Sequence, residues 1–137
     1  MNSLLIIILA LFLSAFFSAV EFSFFASNKL RIELDRKQGN LPSLSSDYAM
    51  IGELYQEMDD LAEAEKNFKL AESVAQSIDA PMELAAARHD LGILYKAQGR
   101  KSKAREYLRA AEEILRGIDA PAYKAVQADL LSLDGTR

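Results

Sequence analysis

Residues 91–95, with the sequence LGILY, repeat residues 51–55, IGELY, at a separation of forty positions. Further matches at the same separation are IDAP at 78–81 and at 118–121, Ala64 and Ala104, and Ala71 and Ala111. The small and apolar residues of each unit follow helical spacing. Pro81 and Pro121 suit the first turn of a following helix, where a missing N–H costs nothing. The repeat therefore predicts stacked helix–turn–helix units in an all-α fold.

The pattern Leu-Gly-x-x-Tyr followed by spaced alanines resembles the tetratricopeptide repeat (TPR) family over residues 47–133. Gly52 and Gly92 have no Cβ, so the second helix of each unit can approach closely at these positions. Tyr55 and Tyr95 are predicted to fill the space between the helices. The resemblance implies a non-enzymatic module that binds a protein or peptide partner without a cofactor.

The spacing predicts two helical units and one closing helix. The predicted helices cover residues 47–57, 60–78, 81–98, 101–117 and 121–133. Asp79 and Asp119 are predicted N-caps, and Gly39 and Gly99 are predicted to end the helices before them. The domain boundaries follow as a membrane segment at 1–40, a Pro/Ser-containing linker at 41–46, the repeats at 47–133 and a tail at 134–137.

The N-terminal segment is apolar and uncharged from Leu4 to Val20. A helix over about Leu4–Ala26 would span roughly 34 Å, which is enough to cross a bilayer. Basic residues follow the apolar run from Lys29 onward, so the positive-inside rule predicts a single-pass helix with the repeats on the cytoplasmic side. A cleaved signal peptide is the alternative, but Phe17 would then occupy a cleavage position that favours a small residue.

Ser14, Ser18 and Glu21 lie on one face of this predicted helix. The pair Ser14 and Ser18 has the small-xxx-small spacing that permits close helix approach in lipid, so self-association through the membrane helix is possible. Glu21 is interpreted in two ways. It either reaches the headgroup level by snorkelling or packs among other helices near a cation or a polar partner.

The stretch FFSAVEFSFFASNKLR at residues 16–31, running on to QGN at 38–40, resembles the first helix of the CNNM/CorC-type transmembrane domain of magnesium and cobalt efflux proteins. By this resemblance over residues 4–40, Ser18 and Glu21 occupy positions that would line an ion site, with Mg²⁺ near Glu21. It implies an alternative function, in which the chain is a truncated or recombined relative of such an efflux protein.

Composition excludes several classes of function. The chain has no cysteine, which excludes disulfides and thiolate sites, and its one histidine, His89, excludes a multi-histidine metal cluster. Residues 1–40 carry four basic and three acidic groups, whereas residues 41–137 carry twelve and seventeen. An acidic repeat region is a poor binder of nucleic acid. His89 is predicted to face solvent, with no nucleophile that would support catalysis.

The binding groove of such arrays is lined by the first helix of each unit. The residues predicted to face it are Tyr48, Glu53, Gln56, Arg88, Asp90 and Lys96. A basic stretch at residues 100–105 is either a solvated face with ion pairs between repeats or a site for an acidic peptide or lipid headgroups. We interpret the chain as a membrane-anchored TPR scaffold. A secreted array, and a fusion fragment or mis-assembled gene joined at residues 40–41, are further alternatives.

Overall fold

The computed structural model describes residues 2–135 as six helices. They are α1 (Asn2–Gln38), α2 (Leu41–Glu57), α3 (Leu61–Ser77), α4 (Pro81–Ala97), α5 (Lys101–Gly117) and α6 (Tyr123–Asp134). No strand occurs within residues 2–135, which confirms the predicted all-α class. Of the predicted tail at 134–137, Asp134 ends α6, and residues 136–137 lie outside the described residues.

The turns between the helices recur every twenty residues. Each contains one residue in the left-handed region: Gly39, Asp59, Asp79, Gly99 and Asp119, with φ between 52° and 73°. In every case the N–H of the next residue donates to the carbonyl five residues earlier, at 2.8–3.0 Å, which closes the preceding helix as in a Schellman motif. The predicted roles of Gly39 and Gly99 are therefore confirmed.

The predicted N-cap roles of Asp79 and Asp119 are wrong. Both residues belong to the turn that closes the preceding helix, and the residue that caps α4 is Ala80, which offers no side-chain hydrogen bond. A side-chain cap is present on α3, where Asp60 accepts a hydrogen bond from the backbone N–H of Glu63 at 3.2 Å. An aspartate tolerates the left-handed region better than most residues, which explains its use at the turns.

The predicted linker at 41–46 is also wrong, because these residues form the first turns of α2. Pro42 occupies the first turn, where proline is compatible with a helix. Leu44 is buried, and the hydroxyl of Ser45 donates to the carbonyl of Ala71 at 2.9 Å. Serine here serves packing rather than flexibility, so composition alone misidentified the segment.

The two helical units are packed as the glycines predict. A Cβ on Gly52 would lie 2.6 Å from the ring of Phe68, and one on Gly92 would lie 2.6 Å from the side chain of Leu108. Phe68, Leu108 and Tyr95 are all essentially inaccessible to solvent. Each glycine therefore permits a contact that any side chain would prevent. The close approach of the two helices in each unit thus depends on a glycine in the first helix facing a large apolar side chain in the second.

Helix α1 has two different parts. Its residues up to Phe24 are exposed throughout, and this part is long and apolar enough to cross a membrane. Its C-terminal part packs along α2, where Ile32 is buried and the rings of Phe25 and Tyr55 lie 5.0 Å apart. Because the turn at Gly39 shares the twenty-residue period, the end of α1 occupies the place of a preceding repeat helix. The apolar part of α1 is thus joined to the array by a single uninterrupted helix.

The contact between α1 and α2 also buries two carboxylates, Asp35 and Asp47. The hydroxyl of Ser43 donates to Asp35 at 2.9 Å and holds the pKa of that carboxyl below its usual value. Burial raises the pKa of Asp47, whose carboxylate lies 3.3 Å from the guanidinium of Arg31. These polar contacts join the C-terminal part of α1 to the first turns of α2.

Candidate partner-binding groove

The first helices of the two units, α2 and α4, border a pair of adjoining open clefts of about 380 and 400 Å³. Glu53 of α2 and Asp90 of α4 line both clefts. Gln56 lines one of them, and the exposed methionines Met50 and Met82 line the other. We call this surface, defined by these five residues, the α2–α4 groove. It combines an apolar lining with convergent acidic groups.

The surroundings of Asp90 disfavour its ionised form. Burial, reinforced by the nearby charge of Glu53, raises the pKa of Asp90 to about 6, while His89 acts in the opposite direction. Glu57 lines the first of the two clefts and Glu83 lines the second. An acidic surface with methionines at its edge is complementary to a basic, amphipathic peptide.

The structure brings three of the six predicted groove residues together, namely Glu53, Gln56 and Asp90. The other three lie elsewhere. Tyr48 is buried against α1, where its hydroxyl accepts a hydrogen bond from Arg36 at 2.8 Å. Arg88 forms an ion pair with Glu72 of α3. The ammonium group of Lys96 donates a hydrogen bond to the hydroxyl of Ser132 in α6. These three side chains bind neighbouring helices to one another. The spacing of residues within one helix does not reveal such contacts between helices.

Two features of the groove region were missed by sequence reasoning. Met50 precedes Glu53 by three residues, a spacing that places both on one helical face and was available from the sequence. The second feature is a contact between α4 and α6, in which Nε2 of His89 lies 2.7 Å from Oδ2 of Asp129. The His89 side chain is only 29% exposed, so its predicted solvent-facing position is wrong.

The basic stretch at 100–105 is largely committed to contacts within the array. Arg100 and Lys103 lie over the ring of Tyr95, at 4.7 and 4.6 Å from its centroid. Arg105 forms an ion pair with Asp134 at 2.6 Å. Arg100 also lies 3.6 Å from the carboxylate of Glu65 in the first unit, so the stretch makes contacts both within its unit and between repeats.

The predicted polar face of the membrane helix is exposed. Ser14, Ser18 and Glu21 form no hydrogen bond or ion pair with any residue in the range 2–135 that the structure describes. This face is open to contact with another helix or with a polar ligand. Its roles in helix packing and in holding Mg²⁺ remain predictions.

The family described as tetratricopeptide repeat matches residues 43–117. The family described as the cyclin M transmembrane N-terminal domain matches residues 5–79. The chain belongs to both families. The second match extends the resemblance predicted for residues 4–40 through the first helical unit, so the two matches overlap at 43–79. The chain is a helical repeat module related to a membrane domain, and its apolar α1 indicates membrane association. TPR repeats generally mediate protein–protein interactions.

A solved structure shows the same arrangement of helices. The crystal structure of BtubC (BKLC) from P. vanneervenii is similar with a TM-score of 0.61 at 16% sequence identity. The match covers 77% of this chain and 52% of that one, so the chain spans about half the length of its structural relative. At this identity the likeness shows the fold alone. No curated protein matches the chain.

Proposed function

We propose that the chain is a single-pass membrane protein whose TPR array presents the α2–α4 groove to a protein or peptide partner on the cytoplasmic side. The observation that carries this proposal is the groove itself, an open surface on which Glu53 and Asp90 converge from two helices. The exposed apolar part of α1 supports the membrane anchor. The basic residues that follow it, beginning with Lys29, support the cytoplasmic orientation.

The chemistry of the groove selects for a basic amphipathic segment. A lysine or arginine placed between Glu53 and Asp90 would relieve the repulsion that contributes to the raised pKa of Asp90. Apolar residues of the same segment would contact Met50 and Met82, whose flexible side chains adapt to varied partners. The acidic surface disfavours nucleic acid. Anchoring in the membrane raises the local concentration of any partner that is itself near the bilayer.

Peptide binding in nanodiscs tests the proposal. The full chain is reconstituted and titrated with a lysine-rich amphipathic peptide, and the same is done with Glu53→Gln/Asp90→Asn. The matched control is Glu106→Gln/Glu113→Gln, which removes the same charge from α5. We expect the groove variant to weaken binding by about 100-fold or more, since it removes two charge-assisted contacts of about 1.5–3 kcal/mol each. Equal loss in both variants would show that binding follows net charge alone.

The proposal assigns no catalytic step to the chain. The one histidine is engaged with Asp129 between α4 and α6. The two serine hydroxyls that line the groove, those of Ser45 and Ser46, donate to backbone carbonyls rather than to a side-chain base. The TPR family is a non-enzymatic interaction module, which supports the same conclusion.

A second candidate function rests on the match of residues 5–79 to the cyclin M transmembrane N-terminal domain. In this alternative the chain is a truncated or recombined relative of a magnesium or cobalt efflux protein, and Glu21 faces a divalent cation among other helices. Glu21→Gln would then abolish divalent-cation tolerance in complemented cells, while Glu33→Gln, on the exposed surface beyond the apolar segment, would leave it intact. Full tolerance in both variants would contradict this alternative.

A further inference from the structure

A cleft of about 570 Å³ lies between α1 on one side and α2 and α3 on the other. It arises because α1 and α3 both pack on α2, while no Cα atom of α1 comes within 8 Å of α3 along the described chain. The residues that matter here are Phe22, Phe25 and Lys29 of α1 and Lys66 of α3. We call this space the juxtamembrane cleft. It is separate from the α2–α4 groove, with which it shares none of its lining residues.

The juxtamembrane cleft lies where the predicted membrane span ends. That span runs to Ala26, which itself lines the cleft. At helical rise, Phe22 and Lys29 are about 10 Å apart along α1. A headgroup layer is about 5–8 Å thick on each side of the hydrocarbon core. The cleft therefore runs from the edge of the hydrocarbon into the headgroup layer.

The chemistry of the cleft changes along the same direction. At the membrane end, Phe22 is 76% exposed and Phe25 is half-buried, so an apolar wall faces the gap. Next along α1 comes Lys29, whose ammonium group forms no ion pair with another residue of the described range. From α3, Lys66 enters the cleft and pairs only with its own-helix neighbour Glu63, at 3.2 Å and largely in solvent. Such exposed pairs are weak and readily exchange partners.

The balance of charge favours an anion. Three cationic side chains line the cleft, namely Lys29, Arg36 and Lys66, against one carboxylate, Glu63. Arg36 is partly committed, since it donates to the hydroxyl of Tyr48 at 2.8 Å. The two lysines are thus the groups available to a ligand. A ligand that fits must carry its negative charge within reach of both lysines and its apolar portion against the phenylalanines.

We infer that the juxtamembrane cleft binds an anionic phospholipid, with its phosphate between Lys29 and Lys66 and an acyl chain along Phe22 and Phe25. The inference rests on the proposed insertion of α1 in the membrane. Continuity of the cleft with the exposed apolar surface of α1 gives the lipid a path of entry from the bilayer. The bound lipid would fill the gap between α1 and α3 and hold the array at a fixed angle to the membrane.

Native mass spectrometry of the full chain in mild detergent tests this inference. The protein is titrated with phosphatidylglycerol and with phosphatidylcholine of identical acyl chains. The test variant is Lys29→Gln/Lys66→Gln, and the matched control is Lys37→Gln/Lys69→Gln, which removes one lysine from each of the same helices outside the cleft. We expect the test variant to bind phosphatidylglycerol about 25-fold more weakly, at about fivefold for each lysine, and the control to be unchanged.

Wild-type protein should prefer phosphatidylglycerol to phosphatidylcholine, and excess inorganic phosphate should not displace the lipid. Equal affinity of the two variants, equal affinity for the two lipids, or displacement by phosphate alone would each overturn the inference. Flotation with phosphatidylcholine vesicles separates this result from the insertion of α1. If wild type and both variants float and keep the same helical circular dichroism, insertion and folding are intact and a negative lipid result falls on the cleft alone.

Discussion

Replacing Asp90 by asparagine should stabilise the protein at neutral pH. Asp90 is half-buried in the α2–α4 groove, and burial together with the charge of Glu53 raises its pKa to about 6 from 3.8. Its ionised form is therefore disfavoured in the folded chain relative to the unfolded chain. An asparagine at this position would keep the size and hydrogen-bonding capacity of the side chain and remove the charge.

The size of the expected gain in stability follows from the rise in the pKa of Asp90. A rise of about two pKa units corresponds to about 3 kcal/mol, which we discount to about 1–2 kcal/mol because the carboxyl is partly solvated. Whether ionisation of Asp90 raises or lowers the free energy of unfolding depends on which state, folded or unfolded, ionises at the lower pH. Below about pH 4 Asp90 is neutral in both states and costs nothing. Between about pH 4 and 6 the unfolded chain ionises first, so stability is lost, and above about pH 6 the loss is complete.

Denaturant unfolding of the full chain in detergent, followed by far-UV circular dichroism at about pH 4 and pH 7, measures this effect. Asp90→Asn should gain about 1–2 kcal/mol at pH 7 and little at pH 4. The control Glu113→Gln changes an exposed carboxylate of α5 and should show no such difference. A variant that is less stable than wild type at pH 7, or a gain of the same size at both pH values, would refute the reasoning.

Three further substitutions test the packing. Gly92→Ala should destabilise the chain by about 1–3 kcal/mol because the new Cβ meets Leu108, whereas Gly117→Ala, with open space around it, should not; thermal unfolding compares the two. Asn28→Leu should stabilise the α1–α2 contact by about 1 kcal/mol, since the Asn28 amide nitrogen is buried without a partner; lower proteolytic resistance than wild type would count against this. Asp79→Gly should gain about 0.5–1 kcal/mol by relieving the left-handed backbone, and an unchanged denaturation midpoint would contradict it.

The helical array was predictable because its signals are local and repeated. Gly52 and Gly92, the alanines forty residues apart and the two IDAP segments each report a contact that every unit makes. Helix boundaries were predicted well where a glycine ends a helix, as at Gly99. They failed at residues 41–46, because Ser45 hydrogen-bonds to the carbonyl of Ala71, a partner twenty-six residues away that composition does not reveal.

The groove was only partly predictable for a related reason. Glu53 and Asp90 converge because consecutive units stack in register, and the repeat supplies that register. Tyr48 was misplaced because α1 continues beyond its apolar part as an additional repeat helix and covers it. The end of α1 lacks the alanine and glycine pattern of the two units, so its sequence does not mark it as a repeat helix. Its equivalence to the repeat helices is seen only in the backbone, where the left-handed turn at Gly39 lies twenty residues before the next such turn.

Labelling of single cysteines in intact cells tests the central claim most directly, since the chain contains no cysteine of its own. Ser3→Cys, Ser14→Cys and Ser102→Cys are each exposed to a membrane-impermeant maleimide before and after lysis. A single-pass anchor with a cytoplasmic array predicts labelling at residue 3 in intact cells, labelling at residue 102 only after lysis, and protection at residue 14 throughout. Free labelling at residue 14 after lysis without detergent, or labelling at residue 102 in intact cells, would contradict the account.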